Sequence, residues 1–227
     1  MRLSTEGVMP TPEATDDGLP LDVDLRGKTE EQKIELMAQR RANFLGRLVK
    51  AGEISPEYLR DPETQAFLDQ FAMVPQSGRD SLMHWLIGDD HGGLHHLRTV
   101  HALGLGDRMV ASDSEVPDQQ YILEDGQYRV LHVGLRKKPG ETITKPRGST
   151  MYPDEWSTQD VLCSVQEAMK SESPVEGKVP RSLNHYGWFK GILVKAITRQ
   201  FDGIRYIRTG FTQYTDNWSK EENHGQQ

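Results

Sequence analysis

The apolar residues change period partway along the chain, and that change limits the fold more than any other feature. From Thr29 onward, Ile34, Met37, Ala38, Phe44, Leu45, Leu48 and Val49 recur at helical spacing, which predicts a helix with one buried stripe. Thr29-Glu30-Glu31-Gln32 has the form of a capping box, its acids suit the positive end of the helix dipole, and Gly52 suits the stop. Ser55-Pro56-Glu57 and Asp61-Pro62-Glu63 each set a capping side chain before a proline that fits the first helical position. A short helix and then a longer one over about residues 62–73 are predicted. After Pro75 the texture changes. Ser81 to Ile87 is apolar and fits helix or strand, and the glycine-rich run from Gly88 to Gly93 breaks it. Tyr128 to Lys138 alternates as a strand, with Leu131, Val133 and Leu135 on one face. Ser157-Thr158-Gln159-Asp160 opens a helix that runs to Lys170, with Val161, Leu162, Val165 and Met169 as its apolar face. Residues 171–182 read as a polar loop. Trp188 to Arg199 and Ile204 to Arg208 read as strands joined through Asp202-Gly203, a strong hairpin dipeptide. Helices first and antiparallel strands later make the fold class α+β.

Composition removes several alternatives. No stretch of the 227 residues approaches the roughly 18 apolar residues of a membrane span, so no membrane partner is expected. A single cysteine, Cys163, excludes an internal disulfide framework and any zinc site built from several thiolates. The opening residues are acidic and proline-rich without an apolar stretch, so they do not form a classical secretory signal. A soluble cytoplasmic protein is expected, with secretion or delivery only by a non-classical route.

Net charge is -7, which argues against a nonspecific nucleic-acid coat, but its distribution is uneven. Residues 1–30 carry a net of -4, whereas residues 121–151 carry +3 and residues 186–208 carry +4. The basic C-terminal half leaves room for a phosphate-bearing ligand, with Arg129, Arg136, Lys190, Lys195, Arg205 and Arg208 as candidate guides.

Five of the eight histidines, His84, His91, His95, His96 and His101, fall within eighteen residues. Three readings compete. They are ordinary loop and core histidines; or His91 and His95, four apart, belong to a metal site of a metal-dependent hydrolase. Gly92-Gly93 between those two disfavours the helix that would align them. In the third reading, two histidines perform acid–base work at a phosphodiester, one neutral and one charged, as an unperturbed pKa near 6.5 allows. The glycines between them let backbone amides approach phosphate oxygens.

At these residues the sequence resembles a family. His84-Trp85-Leu86-Ile87-Gly88-Asp89 followed by Gly92-Gly93-Leu94-His95 is similar to the two-histidine signature of EndoU endoribonucleases, the coronavirus uridylate-specific enzyme included. Ser149 to Ser157, STMYPDEWS, resembles the STFFPxxWS segment of bacterial EndoU toxin domains. Ile207-Arg208-Thr209-Gly210-Phe211 is similar to the I-x-T-A-[FY]-P motif of the family's final strand, with Thr212 where the motif has proline. The three blocks occur in the family's order.

Composition and helix signals set apart a disordered acidic leader at 1–28, a helical N-terminal region at 29–76 and a polar tail at 217–227. The resemblance, which does not reach residues 1–80, implies an EndoU-like domain of two antiparallel sheets with flanking helices at 77–216. It implies His95 as base and His84 as acid, with His96 a rival for the second role. Thr209 would contact the phosphate, Ser149 or Thr150 would read the uracil edge, and Phe211 would lie against base or sugar, with Tyr214 as the nearest phenol. Lys145, four residues before Ser149, has the spacing of the lysine that viral and animal members carry. The implied activity is RNA cleavage 3′ of uridine or another pyrimidine, leaving a 2′,3′-cyclic phosphate. No cofactor is required, although Mn²⁺ stimulation is allowed. A toxin role follows from the bacterial members, with an immunity or inhibitor protein as a partner; the oligomeric state is unspecified. An EndoU-like module that binds RNA without cutting it is the alternative.

Overall fold

The computed structural model describes residues 24–89, 92–106, 109–111, 119–131, 135–137 and 150–213. The leader up to residue 23, the tail from 214, His91, Val133, Lys145, Ser149 and Tyr214 lie outside them. The chain opens with α1 (Glu30–Lys50), α2 (Pro56–Arg60) and α3 (Pro62–Leu68), followed by the short strands β1 (Met73–Val74) and β2 (Arg79–Asp80). Two helices follow, α4 (Ser81–Ile87) and α5 (Leu97–Ala102), and then strands β3 (Met109–Ala111), β4 (Gln119–Ile122), β5 (Tyr128–Leu131) and β6 (Leu135–Lys137). The last part holds α6 (Thr158–Met169), β7 (Val175–Glu176), β8 (Ser182–Phe189), β9 (Ile192–Phe201) and β10 (Ile204–Thr212). This is an α+β fold.

The sequence-level start signals operate as expected. Thr29 closes a capping box on α1, accepting from the Gln32 amide while the Gln32 side chain accepts from the Thr29 amide. Ser157 does the same for α6 with Asp160. Ser55 and Asp61 cap α2 and α3 ahead of their prolines.

Three boundaries differ from the sequence reading, each for a tertiary reason. The helix expected to reach residue 73 stops at Leu68 because the next turn serves the sheet: the Gln70 carbonyl accepts from the Ile207 amide, and Phe71 bridges Ile207. The single strand expected over Tyr128 to Lys138 is two, because β5 pairs with β4 while β6 pairs with β3. Trp188 belongs to β8, not to the strand that follows. Lys190-Gly191, with φ of 49° and 74°, makes an additional two-residue hairpin before β9. The Asp202-Gly203 hairpin forms as predicted, its residues at φ 49° and 82°, the left-handed pair that such a turn needs. The short helix α5 had no expectation behind it.

Strands β10, β9, β8 and β7 form a four-stranded antiparallel sheet in that order. Where two sheets were expected, the described residues add three two-stranded ribbons, β1–β2, β3–β6 and β4–β5. One apolar core runs through the molecule and crosses the expected boundary between residues 76 and 77. Phe44 and Leu48 of α1, Phe71, Trp85 of α4, Val165 of α6 and Ile207 of β10 all belong to it. Each such fully buried side chain contributes about 1.5–3 kcal/mol of burial. Phe71 also stacks on Trp85, with centroids 5.5 Å apart and planes 7° from parallel. Among the described residues no helix is long and apolar enough to cross a membrane.

Candidate active site

Two pieces of backbone bring the histidine motif together. After α4 the chain turns back so that the Leu94 amide donates to the His84 carbonyl at 3.2 Å and the His95 amide donates to the Trp85 carbonyl at 3.1 Å. That return places Leu94, fully buried, in the left-handed region at φ 61°. A non-glycine residue there costs on the order of 1–3 kcal/mol, and such strain clusters at functional sites. The His95 carbonyl then accepts from the Tyr152 amide at 2.7 Å, which splices the middle motif onto the first.

His84 stands on α4 with its Nδ1 2.8 Å from Asp89 Oδ2, an ion-pair distance reached without hydrogen-bond alignment. Arg79 Nε lies 3.7 Å from the same carboxylate oxygen. His95 Nδ1 is 2.6 Å from the Thr150 carbonyl, so Nδ1–H donates there and the lone pair of the neutral ring sits on Nε2. The His95 ring lies nearly flat against Phe211, centroids 5.8 Å apart at 23°.

Strand β10 supplies the third block. The pairing of β10 with β9 shifts between Ile207 and Thr209, a bulge with Arg208 as the extra residue. Bulges re-aim side chains, and here Thr209 and Phe211 share one face while Gly210 packs towards Val165, Tyr152 and Trp85. The Thr209 hydroxyl is buried and finds no hydrogen-bond partner among the described residues. A buried, unsatisfied hydroxyl costs about 1–3 kcal/mol, which a ligand acceptor would recover.

The structure brings His95 together with the Thr150 main-chain carbonyl and Phe211, and it sets His84 on α4 and Thr209 on β10, two elements that pack on each other. His96 does not join them, which corrects its place as a rival second histidine. Its ring is fully buried, with Nε2–H donating to the Trp156 carbonyl at 3.0 Å and Nδ1 2.7 Å from the Thr99 hydroxyl. Neither ring nitrogen is left for a substrate. Burial pushes the His96 imidazole down to about 4, outweighing the opposing pull of the Trp156 carbonyl and Glu53. Because the folded value lies below that of the unfolded chain, this histidine's contribution to stability is complete above pH 6.5 and is lost as pH falls towards about 4. Between about pH 7 and about pH 4.5 the loss should be about 2 kcal/mol. Urea unfolding at about pH 7 and about pH 4.5 measures it, and His96→Gln should flatten the dependence.

Of the six basic residues considered as guides, Arg129 pairs with Glu155 and Lys190 with Asp160, the latter at 2.8 Å. Arg205 and Arg208 are exposed. Lys195 is 4 % exposed, its Nζ 5.8 Å from the Phe211 centroid and 5.6 Å from that of Tyr186. Sequence reasoning gave no role to Asp89, although it ends the first motif. A carboxylate five residues after the histidine was the available signal. Among the described residues no group of three or more His, Cys, Asp or Glu is placed to hold a metal ion.

One α+β fold thus carries the returned histidine motif and the bulged last strand. Residues 79–216, more than half of the chain, match the family described as Bacterial EndoU nuclease, and the chain belongs to that family. Comparison with curated proteins and with solved structures finds no match.

Proposed function

We propose that the protein is an endoribonuclease that cleaves RNA 3′ of uridine or another pyrimidine. The observation that carries this reading is His95 stacked on Phe211 of the strand whose Thr209 hydroxyl is buried with no hydrogen-bond partner among the described residues. His95 Nε2 removes the proton of the ribose 2′-OH. The 2′ oxygen bonds to the adjacent phosphorus as the bond from phosphorus to the 5′ oxygen breaks, and His84, oriented by Asp89, delivers a proton to that oxygen. The products are a 2′,3′-cyclic phosphate and a 5′-hydroxyl. Thr209 donates to a nonbridging phosphate oxygen, where a fixed donor stabilises developing charge. Phe211 lies against base or sugar; aromatic stacking contributes about 1–3 kcal/mol per base. Lys145, Ser149 and Tyr214 are held as further members of the site, lysine for the phosphate and the hydroxyls for the base. The chemistry needs no metal, and Mn²⁺ acts at most as a stimulant. The proposal extends to a toxin role restrained by an immunity or inhibitor protein.

Cleavage of a short RNA containing one uridine, in EDTA, tests this beside a copy whose uridine carries a 2′-deoxy sugar. Only the ribose substrate should be cut, and its product should end in cyclic phosphate. Cleavage of both substrates, or activity that appears only when a transition metal is restored, would reject the mechanism. Binding without cleavage would leave an RNA-binding module.

A further inference from the structure

The segment before residue 79 lies outside the family match, yet both halves of the candidate site are fastened to it. Arg41 of α1 is 2 % exposed, and its guanidinium makes four bonds. Two go to Asp80, from Nε to Oδ2 at 2.8 Å and from Nη2 to Oδ1 at 2.9 Å. The others go to the Leu68 carbonyl at 3.2 Å and the Phe71 carbonyl at 3.0 Å. Asp80 is the N-cap of α4, where its Oδ1 also accepts from the amides of Leu82 and Met83. Leu68 and Phe71 flank the turn that holds β10. The Gln70 carbonyl takes the Ile207 amide at 2.8 Å, and Ser81 Oγ donates to the Ile207 carbonyl at 3.0 Å. Ile207 is the last residue before the bulge that aims Thr209. One planar cation therefore ties the cap of the His84 helix to the turn that holds the strand of Thr209.

We infer that Arg41 is a positioning residue of the nuclease, fixing His84 relative to Thr209, and that the N-terminal helices are a working part of the enzyme. The inference rests on the ribonuclease reading, with His84 as the acid. A rigid guanidinium fork specifies the direction of each bond, whereas a lysine ammonium restores the charge without that geometry. A displacement of about 1 Å can cost about 10²-fold in rate.

The test compares the full chain with Arg41→Lys on two substrates. One is the single-uridine RNA; the other has sulfur in place of the 5′ leaving oxygen, so that the thiolate departs without a proton. With its circular dichroism preserved, Arg41→Lys should lose about 10- to 100-fold in kcat on the oxygen substrate with little change in KM. It should recover most of that loss on the sulfur substrate, as His84→Ala should. A merely structural role slows both substrates alike, and that result, or a variant as fast as the parent, overturns the inference. Should Arg41→Lys not fold, Arg41→Gln combined with Asp80→Asn, which keeps a capping side chain and strands no buried charge, is measured in the same way. A parent protein that cuts neither substrate rejects the ribonuclease reading itself, and the positioning role with it.

Discussion

Alanine at His95 is expected to lower the rate of RNA cleavage by about 10²–10⁴-fold, the usual contribution of a positioned acid or base, while leaving RNA affinity nearly unchanged. The ring is held at both ends of its range of motion. Nδ1–H is fixed on the Thr150 carbonyl and one face lies on Phe211. The ring is thus pre-set for proton transfer, and its loss should appear in kcat. His84→Ala should cost a similar factor. The double variant should be little worse than the more damaged single one, because acid and base act in one transition state and their losses do not add. The parent should show a bell-shaped dependence of kcat/KM on pH, and each variant should lose one limb. Single-turnover cleavage across pH measures all of this. Either single variant retaining a rate within about tenfold of the parent would remove that histidine from the mechanism.

The sequence carried local structure well wherever a side chain makes its own backbone bond. Thr29, Ser55, Asp61 and Ser157 announce helix starts, and Asp202-Gly203 announces a hairpin, because cap and turn geometry is settled within a few residues. The misplaced ends were decided by distant partners. Nothing between Leu68 and Phe71 says that the next hydrogen bonds go to Ile207, more than a hundred residues on. The site divides in the same way. The family resemblance singled out His84 and His95, but His96 and His95 are neighbours in sequence and only packing tells them apart. The fully buried His96 is spent on Trp156 and Thr99. The aromatic flank of Lys195 and the clamp made by Arg41 were not legible, since both depend on register and on contacts across the fold. Glu53 is a further case. Burial alone would raise its carboxyl, yet bonds from Arg98 and from the amide and hydroxyl of Thr158 hold it below the usual range and tie the α1–α2 connection to the start of α6.

Gly93→Ala is expected to be the most damaging single methyl group that can be added near the site. Gly93 has φ +70°, a region where a side chain costs roughly 1–2 kcal/mol. The larger cost is steric. A Cβ at this position would stand 1.6 Å from the His84 carbonyl oxygen and 2.6 Å from its carbon. That oxygen already accepts from the Gly88 and Leu94 amides, so it closes α4 and seats the return that carries His95. It is backbone, and it cannot swing aside as a flexible side chain would. Relief requires the return to lift away, which separates the His95 amide from the Trp85 carbonyl and breaks the register of the two histidines. Overpacking of about 1–3 kcal/mol adds to the backbone cost. For a chain of this size the melting temperature should fall by roughly 5–20 °C. Cleavage should drop by at least about 10²-fold in whatever fraction stays folded, as misplacement of a reacting group implies. Gly126→Ala supplies the contrast: it has φ +78° but nothing within 4 Å of an added Cβ, so it carries the conformational cost without the collision. If the two variants melt together and cut RNA equally well, the close passage of backbone over His84 is not what holds the histidines in register.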